Sequence, residues 1–325
     1  MGCSGCRPAR KRLGYHSCDP RPPGGLLETS TGRAPCPYCG RAAGRLFRTT
    51  DLNRRATAEH FDYHRCHACG LIFVHPVPAD LARFYPPEYH GEPTPEQLAV
   101  AAELERYKLD LVLRYVRSGR LLEVGSGYGA FALLAVRAGF RVEAVEPDEG
   151  CRRFLTDTVG VRAHRSLDEL PAVKDGGQFN VIALWHSFEH LPEPWVALRS
   201  IIDRLVPGGI VVIATPNPEA LQFGLFGRRW VHVDAPRHVE LVPAALLARE
   251  SRRLGLGVTE TTYIDPGSLG WNAFGWEQTL GNMASRPRVR RVLERVGSLI
   301  ARVVSPLERT GRRGSTYTVV LRRPE

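Results

Sequence analysis

Ten residues constrain this chain more than any others: Arg120-Leu-Leu-Glu-Val-Gly-Ser-Gly-Tyr-Gly129. A short apolar strand, Leu121–Val124, carries Glu123 near its end and runs directly into Gly125, Ser126, Gly127 and Gly129. Ala130, Phe131, Leu133, Leu134 and Val136 then follow at helical spacing. Glycine permits the tight turn and the close backbone approach that a ligand at a helix N-terminus needs. The spacing is G-x-G-x-G, whereas a dinucleotide site uses G-x-G-x-x-G. The turn therefore suits adenosine with an amino-acid tail better than a pyrophosphate.

A second strand, Arg141–Val145, ends in Glu146-Pro147-Asp148, with Glu146 21 residues beyond Gly125. In doubly wound sheets an acid at the end of the second strand accepts hydrogen bonds from ribose hydroxyls. Further elements alternate: helices over 129–138, 149–157, 194–205 and 244–254, and strands over 160–163, 180–184, 210–214 and 257–263. The last strand is predicted within 314–322. That alternation predicts a parallel, doubly wound α/β sheet.

These stretches resemble the class I S-adenosylmethionine-dependent methyltransferases. Glu123–Gly129 looks like their first motif and Val145-Glu146-Pro147 like their second. Phe179–Pro194, containing Trp185 and His186, is similar to their fourth strand and the turn after it. Leu205-Val-Pro-Gly-Gly209 resembles the turn before their fifth strand. The resemblance implies a Rossmann-like seven-stranded sheet with an antiparallel last strand. It also implies S-adenosyl-L-methionine held by Glu123, Gly125, Ser126, Gly127, Gly129, Glu146, Pro147, Trp185 and His186. Asn180 departs from the aspartate usual in the family, at a position read as structural.

Two C-x2-C pairs precede this domain: Cys36-Pro-Tyr-Cys39-Gly and Cys66-His-Ala-Cys69-Gly, with 26 residues between them. Four thiolates close a tetrahedral shell with no open position, the pattern of structural Zn2+, and a β-hairpin can occupy the spacer. The organisation predicted is a basic tail over 1–33, a zinc ribbon over 34–75, a connector over 76–93 and the methyltransferase domain over 94–325. Cys3, Cys6 and Cys18 fall in the tail. Thr94-Pro-Glu-Gln97 opens a helix predicted to reach about Val116, with a threonine cap, proline in the first turn and glutamine at the third position.

The net charge of +10 is unevenly placed. Residues 1–33 carry six Arg/Lys against two acids, and 286–313 carry nine Arg against two, so the rest of the chain is near neutral. The N-terminus has no apolar core and the chain has no apolar run of membrane-spanning length, so a cytoplasmic location is expected. An insertion over 264–313 brings Trp271, Phe274 and Trp276. It then sets Val289, Val292, Leu293, Val296, Leu299, Ile300 and Val303 on one face of a helix flanked by Arg288, Arg291, Arg295 and Arg302. That face is read first as a cover over the active site and second as a peripheral membrane contact through 286–304.

Candidate chemistry lies beyond the carboxyl ends of the strands. His186 follows the fourth strand, and Trp230-Val-His-Val-Asp234-Ala-Pro-Arg-His238 crowds the loop before helix 244–254. Methyl transfer to a hydroxyl needs alignment and a base, and histidine suits the second role. His238 is the first candidate, His186 the second, and Asp234 can orient either one. His186, Glu189 and His190 also have the spacing of a metal site. The function expected is methylation of a small molecule, a sugar or glycan intermediate or a secondary metabolite. The alternatives are an RNA methyltransferase, disfavoured by the near-neutral core, and a cofactor-binding protein without catalysis.

Overall fold

The structure is a computed structural model that describes residues 32–85 and 91–325. The predicted tail, with Cys3, Cys6 and Cys18, lies outside the described residues apart from its last two positions. Residues 86–90 of the connector lie outside them as well.

The cysteine-rich segment folds as an antiparallel sheet: β1 (Arg33–Pro35), β2 (Ala42–Thr49), β3 (Phe61–Arg65) and β4 (Ile72–Val74). The β2–β3 hairpin fills the spacer between the two cysteine pairs. Two helices follow, α1 (Pro95–Leu104) and α2 (Arg106–Leu113), where one was predicted; the break falls at Glu105. The start of α1 is the predicted capping box: Thr94 Oγ1 accepts from the Gln97 amide, and Gln97 Oε1 accepts from the Thr94 amide at 2.8 Å.

The alternating segment is β5 (Arg120–Val124), α3 (Ala130–Arg137), β6 (Arg141–Val145), α4 (Glu149–Phe154), β7 (Arg162–His164), β8 (Phe179–Trp185), α5 (Pro194–Asp203) and β9 (Leu205–Pro216). After α6 (Leu221–Phe226) and the two-residue β10 (Glu240–Leu241) come α7 (Ala244–Arg253) and β11 (Gly257–Thr262). The insertion is a helical hairpin, α8 (Pro266–Gly281) and α9 (Pro287–Glu308), before β12 (Thr316–Arg322). The sheet order is β11-β12-β9-β8-β5-β6-β7, with β12 antiparallel to both neighbours. This is the seven-stranded Rossmann-like arrangement expected. The predicted turn Leu205–Gly209 is absorbed into β9, where the register slips between the Phe179–Leu205 and Val181–Ile210 pairs. Asn180 ties the sheet together: its Oδ1 accepts from the Arg120 amide at 2.9 Å.

Period-two alternation divides the strands between two cores. Leu121, Val181, Ile210 and Val212 face α1–α4, together with Leu109, Phe131 and Phe154. Leu122, Ile182, Val211 and Ile213 face α5 and α7, together with Leu198, Ile201 and Leu247. Both faces of the parallel strands are therefore dry, which explains their continuous apolar runs. The cysteine sheet is joined to this body in two ways. Ala43, Cys66 and Phe73 share the second core, and β10 adds an edge strand to β4 through the pairs Glu240–Phe73 and Leu241–Ile72.

Candidate functional site

Strands β5, β6, β8 and β9 present their carboxyl ends together; Val124 pairs with Val145 and Trp185 with Ala214. The glycine turn lies across these ends. Gly125 has φ +77°, and a Cβ there would come within 2.4 Å of Ser187 Cβ, so no other residue fits without moving the turn. Ser187 Oγ donates to the Val124 carbonyl at 2.5 Å. Glu146, buried at the end of β6, accepts from the Gly127 amide at 2.8 Å and the Asp148 amide at 3.0 Å. Ser126 and Gly129 line the same turn, Gly129 at φ +82° as the cap of α3. Pro147 is exposed beside it.

Below the turn sits a buried polar group with unfilled hydrogen-bonding capacity. Glu123 is 3% exposed, and its Oε2 has no partner among the described residues; the same holds for Trp185 Nε1. Burial pushes the Glu123 carboxyl up to about 8, although the Lys108 ammonium nearby opposes this. Lys108 pairs with Glu105 at 2.9 Å and lies 5.2 Å from the Trp185 ring. Orphaned buried atoms beside a cradle that a Cβ would fill are what a polar, cationic cofactor satisfies.

In the turn after β8 and the loop before α7, four histidines converge on Glu189. Glu189 is 1% exposed; its Oε2 accepts from Thr215 Oγ1 at 2.9 Å, and its Oε1 stands 3.7 Å from His186 Nδ1. Burial alone would raise this carboxyl, but His186, His238 and His190 hold it well below the usual range. His190 and His238 meet edge to face at 4.5 Å. Burial, with the neighbouring His238 adding to it, lowers His190 to about 4 and His232 to about 3, so both are neutral near pH 7. His238 Nδ1 lies 2.8 Å from the His232 carbonyl. A carbonyl only accepts, so Nδ1 is the nitrogen that carries a proton in this contact. The predicted trio of His186, Glu189 and His190 is not the one brought closest. The possible ligand atoms of Glu189, His190 and His238 all lie within 4.8 Å of one another.

Among the described residues, three non-glycine residues have left-handed backbone, and two of them are His186 (φ +55°) and Asp234 (φ +36°). Strain of this kind, about 1–3 kcal/mol per residue, persists where the surroundings over-determine it, typically at functional sites. The Asp234 carboxylate does not hydrogen-bond the His238 ring, since Oδ2 stands 4.0 Å from Nε2; the contact between them is through the backbone, where the His238 amide donates to the Asp234 carbonyl at 3.1 Å. The carboxylate oxygens are taken by Arg237 Nε at 2.8 Å, Arg237 Nη2 at 2.7 Å and Asn53 Nδ2 at 2.5 Å.

Several contributors escaped the sequence reading. Arg237, fully buried, also bonds both oxygens of Asp51, at 2.7 and 3.1 Å, and the Phe84 carbonyl at 3.1 Å. Asp51 and Asn53 lie in the hairpin loop of the cysteine sheet, and Tyr63 of β3 donates to the His238 carbonyl at 2.8 Å. That sheet therefore holds the backbone and flank of the histidine loop. Helix α8 supplies a wall: the Trp271 ring lies tilted against His186 at 4.8 Å and edge to face with His232 at 5.5 Å.

The four cysteines Cys36, Cys39, Cys66 and Cys69 come together as the sequence anticipated. Their sulfurs are separated by 3.6 Å (Cys36–Cys69), 3.5 Å (Cys39–Cys66) and 3.9 Å (Cys39–Cys69). A tetrahedral shell with bonds of about 2.3 Å has edges of about 3.8 Å, so the donor set fits Zn2+. Each knuckle closes through a glycine amide: Gly40 donates to the Cys36 carbonyl and Gly70 to the Cys66 carbonyl.

The methyltransferase domain family matches residues 99–261. A ubiquinone biosynthesis O-methyltransferase of Aromatoleum aromaticum is 25% identical over 63% of this chain and 91% of its own length. The counterpart from Bordetella avium is 26% identical over 42% of this chain and 61% of its own length. Among solved structures, a mycolic acid cyclopropane synthase complexed with SAH and CTAB aligns with a TM-score of 0.49 at 18% identity, covering 68% of this chain and 85% of its own.

Proposed function

The chain belongs to the methyltransferase domain family and is an S-adenosyl-L-methionine-dependent methyltransferase; from this premise we propose that it methylates a hydroxyl of a small molecule, a sugar or glycan intermediate or a secondary metabolite. The observation that carries this reading is the cluster of His186, His190, His232 and His238 around ionised Glu189, one turn from the glycine cradle. The O-methyltransferase names of the relatives support transfer to oxygen.

When bound, the cofactor supplies a methyl group on a sulfonium that is its own leaving group. The protein then has to hold it, align the acceptor and take up a proton. Glu146 suits the ribose hydroxyls and Glu123 the ammonium of the amino-acid tail. His238, protonated at Nδ1 towards the His232 carbonyl, offers Nε2 to the acceptor hydroxyl. The positive charge that forms is balanced by Glu189, while His190 and His232 stay neutral and add no repulsion. Trp271 and Trp230 shield the pocket from water. The test is methyl transfer from labelled cofactor to a panel of hydroxylated small molecules, followed by mass spectrometry. Tight cofactor binding with no methylated product from any extract or panel would favour a non-catalytic cofactor-binding protein instead.

Glu123 gives this reading a pH signature. With its carboxyl at about 8, it is protonated in the free protein near pH 7. A bound ammonium favours the carboxylate, so binding expels the proton. Cofactor affinity is expected to weaken by up to about tenfold per pH unit as the pH falls below about 8. Calorimetry across pH 6–9 checks this; Glu123→Gln should flatten the profile, and a flat wild-type profile would reject the assignment.

We also infer one structural Zn2+ on Cys36, Cys39, Cys66 and Cys69. Elemental analysis is expected to return one zinc per chain, lost on Cys39→Ser/Cys69→Ser together with thermal stability. Metal-free protein with all four cysteines intact would remove this inference.

A further inference from the structure

The insertion divides its two expected roles between two helices. Helix α8 lines the site through Trp271, while α9 packs against α8. The side of α9 that packs is made of small residues. Gly297 lies so close to α8 that a Cβ would come within 2.7 Å of the Trp276 carbonyl oxygen, and Ala301 is buried beside it. The apolar stripe anticipated as a cover faces outward. Val289, Val292, Val296, Leu299, Val303 and Leu307 succeed one another every three or four residues, with Val292 57%, Leu299 60% and Val303 79% exposed. No described residue covers them.

The charge on α9 is equally one-sided. Its two acids are turned inward: Glu308 accepts from Gln222 and Trp276, and Glu294 pairs with Arg290. Arg288, Arg295 and Arg302, spaced by seven, border the exposed stripe and are themselves exposed, as are Arg291 and Arg309. No carboxylate among the described residues pairs with any of these five.

A stripe with an a/d spacing could dimerise, but a second α9 would bring this unpaired arginine row against an identical one or against Leu293 and Ile300. Neither neutralises it. Residues 1–31 are themselves net positive, so they do not complement the face either. RNA would match the charge and leave the six aliphatic side chains in water. An anionic lipid surface satisfies both halves, with aliphatic groups entering the acyl boundary and arginines lying at the headgroups. We propose that α9 docks this methyltransferase in the plane of an anionic membrane, through the Val289–Leu307 stripe and the Arg288, Arg295 and Arg302 row. No described helix is long and apolar enough to cross a membrane, so the contact is peripheral.

The test is flotation of the full chain with phosphatidylcholine vesicles and with vesicles that also contain phosphatidylglycerol, at low and high salt. Flotation is expected only with the anionic vesicles and should be lost at high salt. Leu299→Asp/Val303→Asp should abolish it. Arg288→Gln/Arg295→Gln/Arg302→Gln should weaken it by about fivefold per arginine, roughly a hundredfold in all. These positions are exposed, so the variants should keep the circular dichroism and cofactor affinity of the parent. Failure to float with anionic vesicles, or equal flotation with neutral ones, overturns the proposal. So does a vesicle-independent dimer dissolved by Leu299→Asp. Tight binding to an RNA oligomer that Leu299→Asp leaves unchanged, without vesicle binding, would hand the surface to nucleic acid.

Discussion

Arg237→Met is expected to lower the unfolding free energy by about 3–5 kcal/mol, measured by urea denaturation at neutral pH. The guanidinium is fully buried, and its five N–H groups go to Asp234, Asp51 and the Phe84 carbonyl. Removing it leaves two carboxylates in a nearly dry site with no counter-ion. The loss is charge rather than volume, since methionine is apolar and fills much of the same space. The deficit should therefore shrink on acidification. In the parent, burial would raise the Asp234 carboxyl, but Arg237 holds it far below the usual range. That contribution is present above the unfolded value near 4 and lost only in strong acid. In the variant the Asp234 carboxylate, no longer held down by Arg237, protonates at higher pH and relieves the uncompensated charge, so the gap narrows as pH falls. A deficit unchanged between pH 7 and pH 5 would mean that packing, not charge, is what Arg237 provides. Adding Asp51→Asn should recover part of the loss, because one of the two orphaned charges is gone.

This network also marks what the sequence does and does not disclose. The glycine turn, Glu146 and the strand rhythm are legible because each is local: the spacing of a few neighbours states the geometry. The cysteine pairs are legible for the same reason. Asp51-Leu-Asn53 reads as an ordinary turn, and nothing nearby distinguishes a solvated aspartate from one aimed 186 positions ahead at Arg237. Strand β10 has two residues, too few to alternate, and forms only because β4 offers an edge. The face of α9 was visible as a pattern, but an apolar stripe does not say whether protein or something else covers it. Gly297 and Ala301 settle the direction, since only small residues allow the close approach to α8. The break at Glu105 between α1 and α2 has no glycine or proline to announce it.

His238→Ala is expected to reduce kcat by about 10²–10⁴-fold while leaving cofactor affinity close to that of the parent. The two halves of that result separate a base from a packing residue. In the proposed mechanism His238 serves the acceptor, and it shares no hydrogen bond with Gly125–Gly129, Glu123 or Glu146, the residues proposed to cradle the cofactor. A histidine that only packed the loop would, when removed, loosen Asp234 and Arg237 and erode stability along with turnover. His238→Gln keeps a donor for the His232 carbonyl and much of the volume, but it has no basic nitrogen. It should be as slow as His238→Ala and fold better. Added imidazole should restore part of the turnover of His238→Ala and none of that of His238→Gln, whose side chain still fills the space. Glu189→Gln should slow turnover less, because it removes the charge that balances the imidazolium and leaves the base in place. Combining it with His238→Ala should cost little beyond the single change, as expected for groups that act as one unit. If His238→Ala turned over at the parent rate, proton uptake would have to be reassigned to His186, whose Nδ1 stands 3.7 Å from Glu189 Oε1 and whose ring lies against Trp271.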